Sequence, residues 1–124
     1  RDQGYKIQEV NYDKWNATHF AQIMESHGFT MVEIPQSIRY LSGPTKEFRR
    51  EVYSENVIHF GDSLLDWAIS NAVLKMDAQE NIMLDKSKST ERIDPIVAVT
   101  NAFSRATVGE VKDVSSHFLE NWGL

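Results

Sequence analysis

The feature that most constrains this chain is a strand, a helix and a second strand packed into about its first 34 residues. Residues 5–12 are predicted as a strand, with Tyr5, Ile7 and Glu9 on one face and Lys6, Gln8 and Val10 on the other, closed by Asn11-Tyr12-Asp13. Residues 15–27 follow as a helix. Trp15, Thr18 or His19, Ile23 and Met24 recur at helical spacing, and Gly28 supplies the backbone freedom that ends it. Residues 29–34 (FTMVEI) are rich in β formers and stop at Pro35. A helix between two strands is the crossover that parallel pairing requires, so the unit predicts parallel neighbours and an α/β domain.

The remainder supports one domain with no internal repeat and no linker, in a chain of 124 residues that is long enough to bury a core. Residues 36–43 read as a short helix or irregular loop. Pro44 opens a helix to about residue 55, with Phe48, Val52 and Tyr53 as its apolar face. Residues 57–60 are a short extended piece. Asp62 or Ser63 then caps a helix over 64–76 that carries Trp67 into the core. A turn at 77–80 and a short strand at 81–84 lead to a polar, serine-rich, mobile loop over 85–92. Asp94-Pro95 opens a helix to about residue 105, and 109–124 is a tail with room for a short helix over 116–122. Met24, Met31, Met76 and Met83 read as core filler.

Composition removes several classes of function. There are no cysteines, which excludes disulfide scaffolds, thiol catalysis and zinc ribbons. No apolar run approaches a membrane span, and the N-terminus has no signal-peptide core. P-loop, GxGxxG and GxSxG patterns are absent from these residues. The formal net charge of −5 argues against a protein that coats DNA by bulk electrostatics, but not against a metal-dependent nuclease, whose site is itself acidic.

Two aspartates stand out by position. Asp13 sits at the carboxyl end of the first strand, where ligands gather in open α/β sheets. Asp94 sits at the mouth of the last helix. Brought together, they would suit a hard divalent cation, since Mg²⁺ takes oxygen ligands and keeps several waters. Both also suit helix capping, which is the commoner role of aspartate before a helix. Lys86, Lys88 and Arg92 make the loop before Asp94 basic, as a phosphate-tracking loop or as a solvated surface. Lys46, Arg49 and Arg50 form a second basic cluster that reads as the polar face of a helix. The four histidines lack metal-ligand spacing, and His59 reads as structural. Asn71, four residues after Trp67, is either a helix-end anchor or a support of the site.

A series of short motifs goes further. Tyr12-Asp13-Lys14-Trp15 is followed by a helix ending in Gly28, then Ile34-Pro35-Gln36-Ser37 and Leu41-Ser42-Gly43-Pro44. Next come Ile58-His59-Phe60-Gly61 and Leu64-Leu65-Asp66-Trp67 with Asn71, then Asn81-Ile82. Lys86 and Arg92-Ile93-Asp94-Pro95-Ile96-Val97-Ala98 with Ala102 close the series. In this order, from about residue 5 to 106, the chain resembles the C-terminal nuclease domain of the terminase large subunit of tailed bacteriophages.

The resemblance implies a ribonuclease H-like α/β fold truncated on its N-terminal side, with a short mixed or parallel sheet flanked by helices. It implies an Mg²⁺- or Mn²⁺-dependent DNA endonuclease that cuts concatemeric viral DNA by two-metal phosphodiester hydrolysis. The implied partners are double-stranded viral DNA, a portal protein and a small terminase subunit, in the bacterial host cytoplasm and without a membrane. By motif, Asp13 matches the strand-end metal carboxylate and Asp94 the later carboxylate of the last helix, while Lys86 and Asn71 match recurrent positions near the site. The family also takes an acidic residue from a first strand, expected before Arg1, and has a separate ATPase segment. The expectation is therefore a fragment with two of three central carboxylates, weak or inactive alone. The competing reading is a non-catalytic module that docks on portal, small subunit or DNA through Val111, Val114, Phe118, Leu119 and Trp122. A third is an unrelated α/β domain whose aspartates only cap helices.

Overall fold

The computed structural model describes residues 4–89 and 91–121, with side chains through Val108. In chain order the elements are β1 (Val10–Tyr12), α1 (Thr18–Ser26), β2 (Met31–Glu33), α2 (Ile38–Tyr53), α3 (Ser63–Asn71), β3 (Leu74–Met76), β4 (Ile82–Leu84) and α4 (Asp94–Asn121).

The βαβ unit forms as predicted. β1 and β2 are parallel, with Val10 opposite Met31 and Tyr12 opposite Glu33. The ladder extends through Val10 N–H to the Thr30 carbonyl and Ile34 N–H to the Tyr12 carbonyl, both 2.8 Å. α1 ends at Ser26, and Gly28 just beyond it, with a φ of 80°, lets the chain turn while Gly28 and Phe29 N–H donate to the Glu25 and Met24 carbonyls. The first strand is shorter than its alternation suggested. Residues 5–9 pair with no strand among the described residues, and Tyr5 and Ile7 are exposed. Alternation prepares a strand, but a neighbour's hydrogen bonds make one.

Three further boundaries differ. α2 begins at Ile38 rather than Pro44, because Ser37 caps it by accepting from Tyr40 N–H at 3.2 Å. Pro44 lies inside the helix and leaves the Tyr40 carbonyl without its usual donor, a defect costing about 3 kcal/mol in a helix interior. Burial of Leu41 and the bond from Ile82 N–H to Ser42 Oγ (3.0 Å) tie this stretch to β4 and offset the defect. The helix expected over 64–76 stops at Asn71, and residues 74–76 instead form β3, antiparallel to β4 with Leu74 opposite Leu84. Propensity separates helix from strand by only tenths of a kcal/mol per residue, so the pairing with β4 decides. α4 continues through Gly109 to Asn121 rather than ending near residue 105. The expected tail helix over 116–122 is therefore part of α4, except for Trp122, which lies outside the described residues. The apolar tail contacts also fall outside the described side chains.

The hydrophobic core joins α3, α4 and β4. Ala68, Ile93 and Ile96 are buried, with Phe48, Leu65, Ala72, Leu84 and Val97 packed against them. The Phe48 and Phe103 rings meet edge to face at 5.4 Å, fastening α2 to α4. α4 is fastened to the βαβ side by Arg105, which donates to Glu9 Oε1 at 2.7 Å and Oε2 at 3.2 Å. Trp67 (42% exposed) and Met76 (66% exposed) are not core residues as expected. Trp67 lies on the outer side of α3, and Met76 is on an edge hairpin. Asp62 is the cap of α3 as predicted, its Oδ1 accepting from Leu65 N–H at 2.8 Å. Among the described residues no helix is long and apolar enough to cross a membrane.

Candidate functional site

The carboxyl end of β1 opens into a cleft of about 310 Å³, and Asp13 stands on its wall. Asp13 is exposed, and its Oδ1 accepts from Trp15 N–H at 3.1 Å in the turn before α1. It is not the cap of α1, a position held by Ala17. Among the described residues nothing else bonds its carboxylate, so a face of it remains open to a ligand. Gln36 stiffens the same wall by donating to the Ile34 carbonyl (3.0 Å) and to Asn101 Oδ1 of α4 (3.3 Å).

Another part of the lining comes from the β3–β4 hairpin and holds a carboxylate that sequence reasoning passed over. Asp85 directly follows β4, lines the cleft and is only 5% exposed. Its Oδ1 accepts from Ser87 N–H (2.9 Å), Ser87 Oγ–H (2.6 Å) and Lys88 N–H (3.3 Å). The Ser87 hydroxyl foremost, then these backbone donors and the Lys75 ammonium, hold the Asp85 carboxyl below the usual carboxylate range against the opposing effect of burial. The signal was present in Asp85 itself, because an aspartate side chain commonly accepts from the backbone N–H two residues on and so forms a turn. The segment expected to be mobile is thus built by hydrogen bonds over 85–89.

Asp94 lies in a neighbouring depression of about 340 Å³, shared with Lys86, Ser89 and Arg92. As the first residue of α4 it pairs with Lys86, whose Nζ is 3.2 Å from Asp94 Oδ1. The two predicted aspartates therefore occupy adjoining hollows rather than one, and Lys86 lines both. Arg92 joins the Asp94 hollow. Lys88 lines neither and contributes its backbone to the Asp85 turn. Asn71 lines neither hollow, and its Nδ2 donates to the Trp67 carbonyl at 2.8 Å, the helix-end anchoring role.

The donor chemistry bears on a metal. Asp13 and Asp94 are solvent-facing carboxylates, the hard oxygen donors that Mg²⁺ and Mn²⁺ accept, and an ion that keeps its waters needs few of them. Among the described residues no three His, Asp or Glu side chains converge. The residues present therefore fit a cation held by single carboxylates and water, not by a closed protein cage.

A sequence profile of the family described as "Terminase large subunit, endonuclease domain" matches residues 2–110. The chain belongs to that family. It is 27% identical over 120 residues to the protein YmfN of Escherichia coli (strain K12), covering 95% of this chain and 26% of that protein. It is 28% identical over 116 residues to the terminase large subunit of Enterobacteria phage HK97, covering 92% of this chain and 23% of that protein. The crystal structure of the HK97 bacteriophage large terminase superposes with a TM-score of 0.73 at 27% identity, over 82% of this chain and 22% of that one. The fold is thus the terminase large-subunit nuclease fold, and the chain spans about a quarter of the length of these relatives.

Proposed function

We propose that this chain is the DNA-cutting domain of a phage packaging terminase, with Asp13 and Asp94 as its cation-holding carboxylates. The observation that carries the reading is the placement of two solvent-facing carboxylates, Asp13 at the end of β1 and Asp94 at the start of α4, in hollows that share Lys86, the ion-pair partner of Asp94. Membership of the endonuclease-domain family supports the reaction class.

Asp13 and Asp94 would hold Mg²⁺ or Mn²⁺, and a bound divalent cation supplies Lewis acidity toward the scissile phosphate and offsets its charge. The chain's own residues do the rest. Lys86 and Arg92, which line the hollows, together with Lys88 on the adjoining turn, would receive the phosphate backbone without reading base sequence. Lys86 balances Asp94 in the free protein and exchanges that partner for a phosphate when DNA arrives. The packaging setting supplies the expected substrate, double-stranded viral DNA, the expected partners, a portal protein and a small terminase subunit, and the host bacterial cytoplasm as the place of action.

The test is Asp94→Asn in the full-length protein, with cleavage and packaging ATPase assayed separately. Cleavage should fall more than about 100-fold, the scale of removing one preorganised electrostatic group, while ATPase activity persists. Wild-type cleavage by that variant would sink the assignment. EDTA separates this reading from the docking module, because docking to portal or small subunit would survive chelation and cleavage would not.

A further inference from the structure

Asp85 is unlike the other acidic residues of the cleft region. It is the only Asp or Glu among the described residues that is buried. Its backbone N–H donates to the Val73 carbonyl at 2.7 Å, which fixes it to the start of β3. Its Oδ1 gathers Ser87 N–H, Ser87 Oγ–H and Lys88 N–H, and its carbonyl accepts from Ser89 N–H (3.2 Å) and Ser89 Oγ–H (2.7 Å). Lys86 is the residue enclosed by this turn, and it reaches from the Asp13 cleft to Asp94.

We infer that Asp85 is a positioning residue whose buried carboxylate shapes the β4–α4 turn and thereby holds the Lys86 ammonium between the two hollows, where it meets a DNA phosphate. The inference rests on the proposed DNA-cutting function, and deepens it by separating the carboxylates that face the ligand from the one that shapes the wall. What Asp85 supplies is an acceptor atom rather than a negative charge on the ligand. Asparagine offers an Oδ1 in the same place, so Asp85→Asn should keep the turn and Asp85→Ala should lose it. Simple electrostatics predicts the opposite sign for Asp85→Ala. Removing a negative charge beside bound DNA should tighten binding, whereas loss of the turn should weaken it.

The experiment measures binding of a fluorescent DNA duplex to the chain in EDTA across a salt series, so that cleavage does not intervene. Lys86→Met should weaken binding and lower the salt-dependence slope by about one, the signature of a lost phosphate contact. Asp85→Ala should reproduce that loss, and the double variant should lose no more than either alone. Asp85→Asn should bind within about twofold of wild type with the slope unchanged, against a loss of one phosphate contact otherwise. Amide exchange at Ser87 and Lys88 should accelerate in Asp85→Ala and stay protected in Asp85→Asn. If Asp85→Ala does not fold, Ser87→Ala removes the 2.6 Å hydroxyl bond from an exposed position and should show the same changes in weaker form.

Unchanged or tighter DNA binding by Asp85→Ala, or by Ser87→Ala in its place, with the slope retained overturns the inference. So does an Asp85→Asn variant that loses as much as Asp85→Ala, since charge would then matter and not the acceptor. A Lys86→Met variant with wild-type slope would instead remove the DNA role of Lys86 itself, and the positioning role would fall with it.

Discussion

Asp13 and Asp85 line one cleft from two different parts of the fold, and the two walls hold their carboxylates differently. On the βαβ wall, Asp13 follows a parallel strand, is exposed and receives one local hydrogen bond. On the hairpin wall, Asp85 follows an antiparallel strand, is buried and receives three donors on a single oxygen. A carboxylate left open to solvent is available to a cation, while one buried and held through one oxygen by its own turn is committed to shaping the chain. Position after a strand thus does not distinguish the two roles. The number of internal donors does.

The largest effect that would sharpen this contrast is on cleavage by the full-length protein. Asp13→Asn should reduce it more than about 100-fold, and Asp85→Asn should leave it within about threefold, because only the first removes a ligand-facing charge. Equal losses would erase the distinction between the walls. Next in size is stability. Ile34→Ala and Ile82→Ala empty sites that are 1% and 2% exposed, and each should cost about 2–5 kcal/mol in chemical denaturation. The Ile82 change, on β4 beside the Asp85 turn, should also speed exchange at Ser87 and Lys88, whereas the Ile34 change should spare those amides.

Acid should act on the hairpin wall in particular. The carboxyls of Asp85 and Asp77 are both held below the ordinary range, by the Ser87 hydroxyl and the Asn81 side chain respectively. Their contribution to stability is complete above the unfolded aspartate value of about 3.9 and is lost as pH falls through the lowered folded values. Global stability should therefore decline below about pH 4 in the wild type and decline less in Asp85→Asn, as read by chemical denaturation across pH. The smallest effect is Asp62→Ala, which removes the cap of α3 and should cost about 1 kcal/mol without moving the cleft.

The contrast between the walls is also a contrast in what local sequence can specify. The βαβ unit was legible because each of its signals is local: helical spacing of Ile23 and Met24, Gly28 at the turn, and β formers stopped by Pro35, although α1 begins at Thr18 and leaves Trp15 outside it and exposed. Asp13 was found for the same reason, since the end of a strand marks it. The hairpin was not legible. Residues 74–76 continue the apolar spacing of α3 and become a strand only because residues 82–84 pair with them. Without β3 there was no reason to see Asp85 as anchored, so its turn read as a loose polar loop. α2 crossing Pro44 was likewise settled from outside, by burial of Leu41 and the Ser42 bond to β4. The adjoining rather than common placement of Asp13 and Asp94, with Lys86 between them, depends on contacts that no local pattern encodes.

The most direct test of the central claim is a Mn²⁺ titration of the chain followed by paramagnetic broadening of its backbone amide resonances. The account predicts broadening centred on residues around Asp13 and Asp94, abolished by Asp13→Asn together with Asp94→Asn and preserved in Asp85→Asn. Broadening centred elsewhere, or retained in the double variant, would contradict the assignment of these two aspartates as the cation-holding pair.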